Sequence, residues 1–254
     1  MSDPLTRFSN RVENYAKYRP TYPAETIELL RRHCGLTESS IVADIGSGTG
    51  ISSELFLKNG ISLFGVEPND AMRASAEQLL ASYAKFVSLN GTAEVTTLGN
   101  NSVHFIVAAQ AFHWFDRDKA KREFSRILKP RGWVVLIWNE RLLDTTPFLR
   151  GYEDLLIRYG VDYQKVRHEN VEGEIAEFFA PEPVELKILK NAQHFDFESL
   201  KGRLLSSSYV PDASNPNFNA MLAQLENIFN STQNNGTVSF DYETKIYFGH
   251  LASQ

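Results

Sequence analysis

Short apolar runs alternate with amphipathic stretches from about residue 24 to residue 140, the rhythm of strands separated by helices. A helix is predicted from near Ala24, just after Pro23, to Arg32, and Leu36-Thr37-Glu38 leads into the first strand. That strand, Ile41-Val42-Ala43-Asp44-Ile45, mixes β-branched and small apolar side chains, as a strand covered on both faces does. Residues 51–58 follow as a short amphipathic helix stopped by Asn59-Gly60, and residues 61–66 form a second apolar strand. Pro68-Asn69-Asp70 opens a helix over 70–82, with Asn69 or Asp70 as its cap. Residues 86–89, 103–109 and 133–138 are the third, fourth and fifth strands. A helix over 119–128 separates the last two, with Pro130-Arg131-Gly132 as the turn after it. Strands and helices in strict alternation imply an α/β fold with a doubly wound parallel sheet and right-handed crossovers.

Beyond residue 140 the rhythm changes. Helices are predicted over 147–160, 174–179, 197–205 and 217–229, a strand over 184–190, and two β segments over 237–240 and 244–250. Gln233-Asn234-Asn235-Gly236 reads as a turn, and there is no internal repeat or low-complexity segment.

Composition narrows the classes of function. With 254 residues and 43% hydrophobic content, the chain can bury about 70–75% of its unfolded surface, enough for one large core with an appended cover. A single cysteine, Cys34, forbids an intramolecular disulfide, makes a cysteine zinc site implausible and favours a reducing, cytoplasmic setting. Met1-Ser2-Asp3-Pro4 lacks the features of a signal peptide, and no apolar run is long enough to span a membrane, so a soluble protein is expected. A net charge of −5 disfavours a nucleic-acid partner. The densest basic cluster, Arg117, Lys119, Lys121, Arg122 and Arg126, alternates with Asp116, Asp118 and Glu123 as on a solvated helix face.

The candidate chemistry begins at the end of the first strand, where Asp44 precedes Gly46-Ser47-Gly48-Thr49-Gly50. Glycines there permit positive φ and let backbone N–H groups approach a ligand closely. Glu67 ends the second strand about twenty residues on, where a carboxylate can accept hydrogen bonds from a ribose diol. A dinucleotide fingerprint would place glycine or alanine at position 51, and this chain has Ile51.

Asp44-Ile45-Gly46-Ser47-Gly48-Thr49-Gly50, Gly65-Val66-Glu67-Pro68-Asn69 and Gly91-Thr92-Ala93-Glu94 resemble three successive motifs of class I S-adenosylmethionine-dependent methyltransferases, over about residues 10–140. Tyr15-Ala16-Lys17-Tyr18-Arg19-Pro20-Thr21-Tyr22-Pro23 and Ala109-Gln110-Ala111-Phe112-His113-Trp114-Phe115 resemble the small-molecule branch that includes trans-aconitate and ubiquinone-biosynthesis methyltransferases. The resemblance implies a seven-stranded, mostly parallel Rossmann-like sheet under a helical cover, with the sixth strand at 184–190 and an antiparallel seventh at 244–250. It divides the chain into a lid and helix (1–36), an S-adenosylmethionine-binding core (37–140), and a substrate cover with the last two strands (141–254). By position, Asp44, Gly46, Ser47, Gly48 and Gly50 hold the methionine part of the cofactor, Glu67, Pro68 and Asn69 its ribose, and Thr92, Ala93 and Glu94 its adenine. Many relatives carry an acid directly after the third-motif glycine, whereas Thr92 stands here and the acid, Glu94, comes two residues later. Gln110 is a cofactor-adjacent polar group, Arg19 a partner for the cofactor's carboxylate, and Tyr18 a ring facing the sulfonium.

Methyl transfer is an in-line displacement that mainly requires position. A carboxylate acceptor needs no base; a hydroxyl does, and His113 after the fourth strand is the candidate. His113, Trp114, Arg141 and Tyr209, with Ser206-Ser207-Ser208, are candidate acceptor contacts, Arg141 as a loop cation suited to an acidic acceptor. No Asp/Glu cluster has the spacing of a magnesium site, so no metal is expected. The expected function is O-methylation of a small molecule by a monomer or homodimer. A nicotinamide-dependent oxidoreductase and a non-catalytic S-adenosylmethionine-binding protein remain the alternatives.

Overall fold

A computed structural model describes residues 17–161, 163, 171–207 and 209–252. Seven strands form one sheet in the order β3-β2-β1-β4-β5-β7-β6. They are β1 (Ile41–Ile45), β2 (Ser62–Val66), β3 (Phe86–Leu89), β4 (Val103–Ala109), β5 (Leu128–Arg141), β6 (Val184–Phe195) and β7 (Val238–Gly249). The first five pair in parallel, and β7 runs antiparallel to both β5 and β6. The strand order reverses between β1 and β4, which makes the crevice beyond their carboxyl ends the ligand position expected of such a sheet.

The helices are α1 (Glu25–Cys34), α2 (Ile51–Leu57), α3 (Asp70–Leu79), α4 (Arg117–Ile127), α5 (Pro147–Tyr159), α6 (Val171–Phe179), α7 (Phe197–Leu205) and α8 (Phe218–Thr232). Because side chains alternate along a strand, each strand feeds two cores. Val42, Leu63, Phe105, Val107, Val135 and Ile137 pack on α1 and α2. Ala43, Ile45, Ile106, Ala108, Val134 and Leu136 point the other way, onto Phe124 of α4 and Phe178 and Phe179 of α6. Cys34 belongs to the first core, where burial pushes its thiol up to about 12, so it is a packed thiol. Asn69, rather than Asp70, caps α3 by accepting from the Met72 N–H at 3.0 Å. Among the described residues no helix is long and apolar enough to cross a membrane.

Three expectations are corrected by the strand geometry. The Pro130-Arg131-Gly132 turn does not precede β5 but lies within it. Leu128 pairs with Val103 and Trp133 with Phe105, so the intervening residues bulge out, with Arg131 at φ 61°. The two terminal β segments are a single strand, because burial alternates without a break through Val238, Phe240, Tyr242 and Thr244. The sixth strand likewise runs on to Phe195 rather than stopping near residue 190. Since β5 ends opposite Tyr242, the β6–β7 ladder projects past it by several residues. On this projection Phe195, Val238, Phe240 and Tyr242 join α5, α7 and α8 in a third core, the cover over the carboxyl edge of the sheet.

Candidate active site

Asp44 sits at the penultimate position of β1 and is fully buried. One carboxylate oxygen, Oδ2, accepts from the hydroxyls of Ser52 and Ser53, each at 2.6 Å. The other, Oδ1, is buried with no hydrogen-bond partner. Burial pushes the Asp44 pKa up to about 6, the two serine hydroxyls oppose this, and the nearby Glu67 charge adds to it. A carboxylate in this state is matched to a ligand cation, which would occupy the bare oxygen and relieve the cost of burying the charge. In the sequence these serines read only as helix residues; hydroxyls in the first turn after a strand-end acid are the available signal.

Glu67 follows β2 and is also buried. Its carboxylate accepts from the Gly48 N–H at 3.0 Å and from the Asn69 N–H at 2.8 Å, one bond to each oxygen. Two backbone loops therefore set its orientation, while each oxygen keeps acceptor capacity for a diol. Burial raises its pKa and the two backbone donors oppose the rise. Arg73 braces the same loop by donating to the carbonyl of Glu67 at 2.9 Å and that of Pro68 at 3.5 Å, and it pairs with Asp70.

The glycines between these acids have separate reasons. Gly46 has φ 70°, and a Cβ there would lie 2.6 Å from the Cβ of Ala111, so the loop packs directly on the turn after β4. Gly48 has φ 57° and meets only Met72 Sδ at 3.7 Å, which leaves its Cα face open. Ser47 is buried, and its carbonyl closes the turn by accepting from the Gly50 N–H at 2.9 Å.

Other predicted residues are placed as follows. Ala93 is buried in the sheet core, whereas Thr92 is exposed and its hydroxyl accepts from the Glu94 and Val95 N–H groups at 3.3 and 3.2 Å. Glu94 accepts from the Asp116 N–H at 2.8 Å, tying the loop after β3 to the cap of α4. Gln110, at φ 57°, donates its side-chain amide to the Asn139 carbonyl at 3.0 Å and so joins the ends of β4 and β5. Phe112–Trp114 form a 3-10 turn anchored by Phe112, which makes edge contacts with Phe115, Trp138 and Phe178. His113 is half-buried, its ring 4.7 Å from that of Trp114, which is 41% exposed at the rim.

The lid residues turn toward the cover. The Tyr18 ring fills the space beside Gly202, and Arg19 donates to the Ser206 carbonyl at 3.4 Å. Tyr15 and Ser208 lie outside the described residues. Arg141, at the end of β5, is a side chain 11% exposed, paired with Glu153 at 2.5 Å, donating to the Tyr163 hydroxyl at 3.0 Å and lying over the Tyr152 ring. The Tyr209 ring lies 5.0 Å from that of Tyr163, in the same cluster.

A methyltransferase-domain family model matches residues 43–136, the segment that holds Asp44, the glycines, Glu67 and the turn after β4. An uncharacterized methyltransferase of Mycobacterium tuberculosis is 36% identical to this chain over 134 residues, 53% of this chain and 52% of its own. The match thus spans about half the length of that relative. An uncharacterized methyltransferase of Schizosaccharomyces pombe is 27% identical over 253 residues, covering 94% of this chain and 95% of its own. Among solved structures, a type II methyltransferase candidate from Anaeromyxobacter dehalogenans aligns with a TM-score of 0.66 at 21% identity, over 91% of this chain and 97% of that one, a likeness of fold.

The likeness of residues 43–136 to methyltransferase domains makes S-adenosylmethionine the ligand against which the site is tested. The residues present fit it. Asp44 Oδ1 is buried and unpartnered, Gly48 presents no side chain to the crevice, and Glu67 is held with acceptor capacity to spare.

Proposed function

We propose that this chain transfers the methyl group of S-adenosylmethionine to an oxygen atom, a carboxylate or hydroxyl, of a small molecule. One observation supports it above the rest: two buried carboxylates at the ends of adjacent strands flank a glycine turn, one with a bare oxygen and one held by backbone donors. Asp44 would take the ammonium of the methionine part and Glu67 the ribose diol, with Asn69, Pro68 and the Thr92–Glu94 turn bordering the nucleoside. Tyr18 and Arg19, which meet the cover at Gly202 and Ser206, would border the methionine end of the cofactor from the lid.

The bound cofactor supplies an electrophilic methyl carbon on a positively charged sulfur. The acceptor oxygen held by the chain would receive that methyl group. The protein's part is to align the acceptor, which can lower the barrier by about 7–11 kcal/mol. A carboxylate acceptor arrives without a proton. A hydroxyl acceptor must lose one, and His113, on the turn after β4 beside Trp114, would take it. Chain charge supports a free small molecule rather than a nucleic acid as acceptor, and the lone cysteine supports a cytoplasmic setting. The chain would act as monomer or homodimer.

The test is calorimetric titration with S-adenosylhomocysteine, then a tritiated-methyl screen against pools of small acids, phenols and amines. Binding followed by methyl ester or ether formation is expected. Binding without transfer to any pool would favour a non-catalytic carrier, and preferential binding of a nicotinamide dinucleotide would overturn the reading.

A further inference from the structure

Among the described residues, the cover holds a buried cation that is paired with no acid. Arg203, in the last turn of α7, is 6% exposed. Its guanidinium lies over the Phe240 ring, with Nη1 3.2 Å from the Ser207 hydroxyl and 3.5 Å from the Ser206 hydroxyl, while Nε is buried with no hydrogen-bond partner. The phenols of Tyr242, Tyr152 and Tyr209 lie around it, and among the described residues it makes no ion pair with a carboxylate. Arg141, in the same cluster, does have its acid in Glu153, yet its Nη1 is also buried and unpartnered. The Tyr152 hydroxyl, which interacts with both arginines, is a third buried and unpartnered group. Among the described residues, Arg141 is thus paired with Glu153, whereas Arg203 is paired with no carboxylate.

This cluster stands on the cofactor's side of the sheet. Arg141 ends β5, two residues after Asn139, whose carbonyl receives the Gln110 amide from the end of β4. Gly202, next to Arg203, carries the Tyr18 ring of the lid, and Ser206 receives Arg19. A buried guanidinium is costly unless its donors meet an anion, and two serine hydroxyls and neutral phenols return less than its hydration did.

We infer that Arg203, with Tyr152 and Nη1 of Arg141, receives an anionic group of the methyl acceptor away from the reacting oxygen, which makes the acceptor a small organic acid. This rests on the proposed methyltransferase function. A carboxylate is preferred to a phosphate because, of Arg203 and Arg141, only Arg203 lacks a carboxylate partner, and a phosphate monoester carries nearly two negative charges at neutral pH. A guanidinium also matches the planar carboxylate with paired donors.

The experiment compares the full chain with Arg203→Gln and Arg203→Lys in methyl transfer to mono- and dicarboxylic acids, their amides and phosphomonoesters. Affinity for S-adenosylhomocysteine is measured in parallel. Acids should be the acceptors. Arg203→Gln should raise their KM by about tenfold to a hundredfold, with kcat and S-adenosylhomocysteine affinity little changed, and Arg203→Lys should recover part of the loss. If Arg203→Gln fails to fold, Tyr152→Phe must raise the same KM. Equal use of acids and amides, preference for phosphomonoesters, or an unchanged KM in folded Arg203→Gln or Tyr152→Phe overturns the inference. Failure of the unaltered chain to bind S-adenosylhomocysteine overturns the methyltransferase reading, and this one with it.

Discussion

Replacing Asp44 with asparagine should strengthen the fold while weakening the site. The Asp44 carboxyl holds its proton up to about pH 6 in the folded chain, against an ordinary value of 3.8, because burial outweighs the two serine hydroxyls. A carboxyl whose folded pKa lies above its unfolded one binds protons better when folded. Stability of the ligand-free protein therefore falls as pH rises through about 4 to 6, and the loss is complete above that window. Two pKa units at about 1.4 kcal/mol each give a cost of roughly 3 kcal/mol at neutral pH. Asp44→Asn should recover a large part of this in urea unfolding at pH 7, and the gain should shrink toward pH 4. A bound ligand cation reverses the sign by favouring the carboxylate. Affinity for S-adenosylhomocysteine, whose amino group is charged, should then be flat above about pH 6.5 and weaken by up to tenfold per unit below pH 6, with proton release seen by calorimetry in buffers of different ionisation enthalpy. The Asp44→Asn protein should bind more weakly and lose that bend. Glu67 also has a raised pKa, so any residual bend in the variant measures its share. Affinity independent of pH between 5 and 8 in the unaltered protein, or an identical bend in Asp44→Asn, would refute the pairing of Asp44 with a cationic part of the cofactor.

Glu67→Ala should weaken S-adenosylhomocysteine binding by about 1–3 kcal/mol through lost charge-assisted hydrogen bonds to the ribose, and unchanged affinity in a folded variant would remove the ribose assignment. Gly46→Ala places a Cβ at positive φ and 2.6 Å from Ala111, so it should cost about 1–3 kcal/mol in urea unfolding, with Ala111→Gly restoring only the steric part. Stability equal to that of the unaltered chain would show that the loop does not pack as described. His113→Ala should lower kcat by about 10²–10⁴ for hydroxyl acceptors and leave carboxylate acceptors nearly untouched; full activity on a hydroxyl acceptor would exclude His113 as the base.

The strand–glycine turn–helix–strand unit and its two acids are legible because their relations are local. Asp44 and Glu67 end apolar runs, the chain between them is one crossover, and a left-handed turn has few residue types that can form it. The same reading fails where a residue's partner lies far along the chain. Arg141 looks like a loop cation until α5 folds back and sets Glu153 and Tyr152 against it. Polar residues near 241–244 look like a break in the last strand until β6 pairs along its whole length. Arg203 looks like any one basic residue on an amphipathic helix until the phenols of the cover close around it.

By itself, then, the sequence determined the order of the elements, the site of the glycine turn and the acids bordering it, since backbone conformation and strand-end position follow from neighbours a few residues away. The tertiary structure alone decided which charges are balanced. Arg203, Tyr152 and Arg141 come from α7, α5 and β5, and whether a guanidinium is hydrated, paired or left for a ligand depends on burial and on partners that only the folded cover brings within reach.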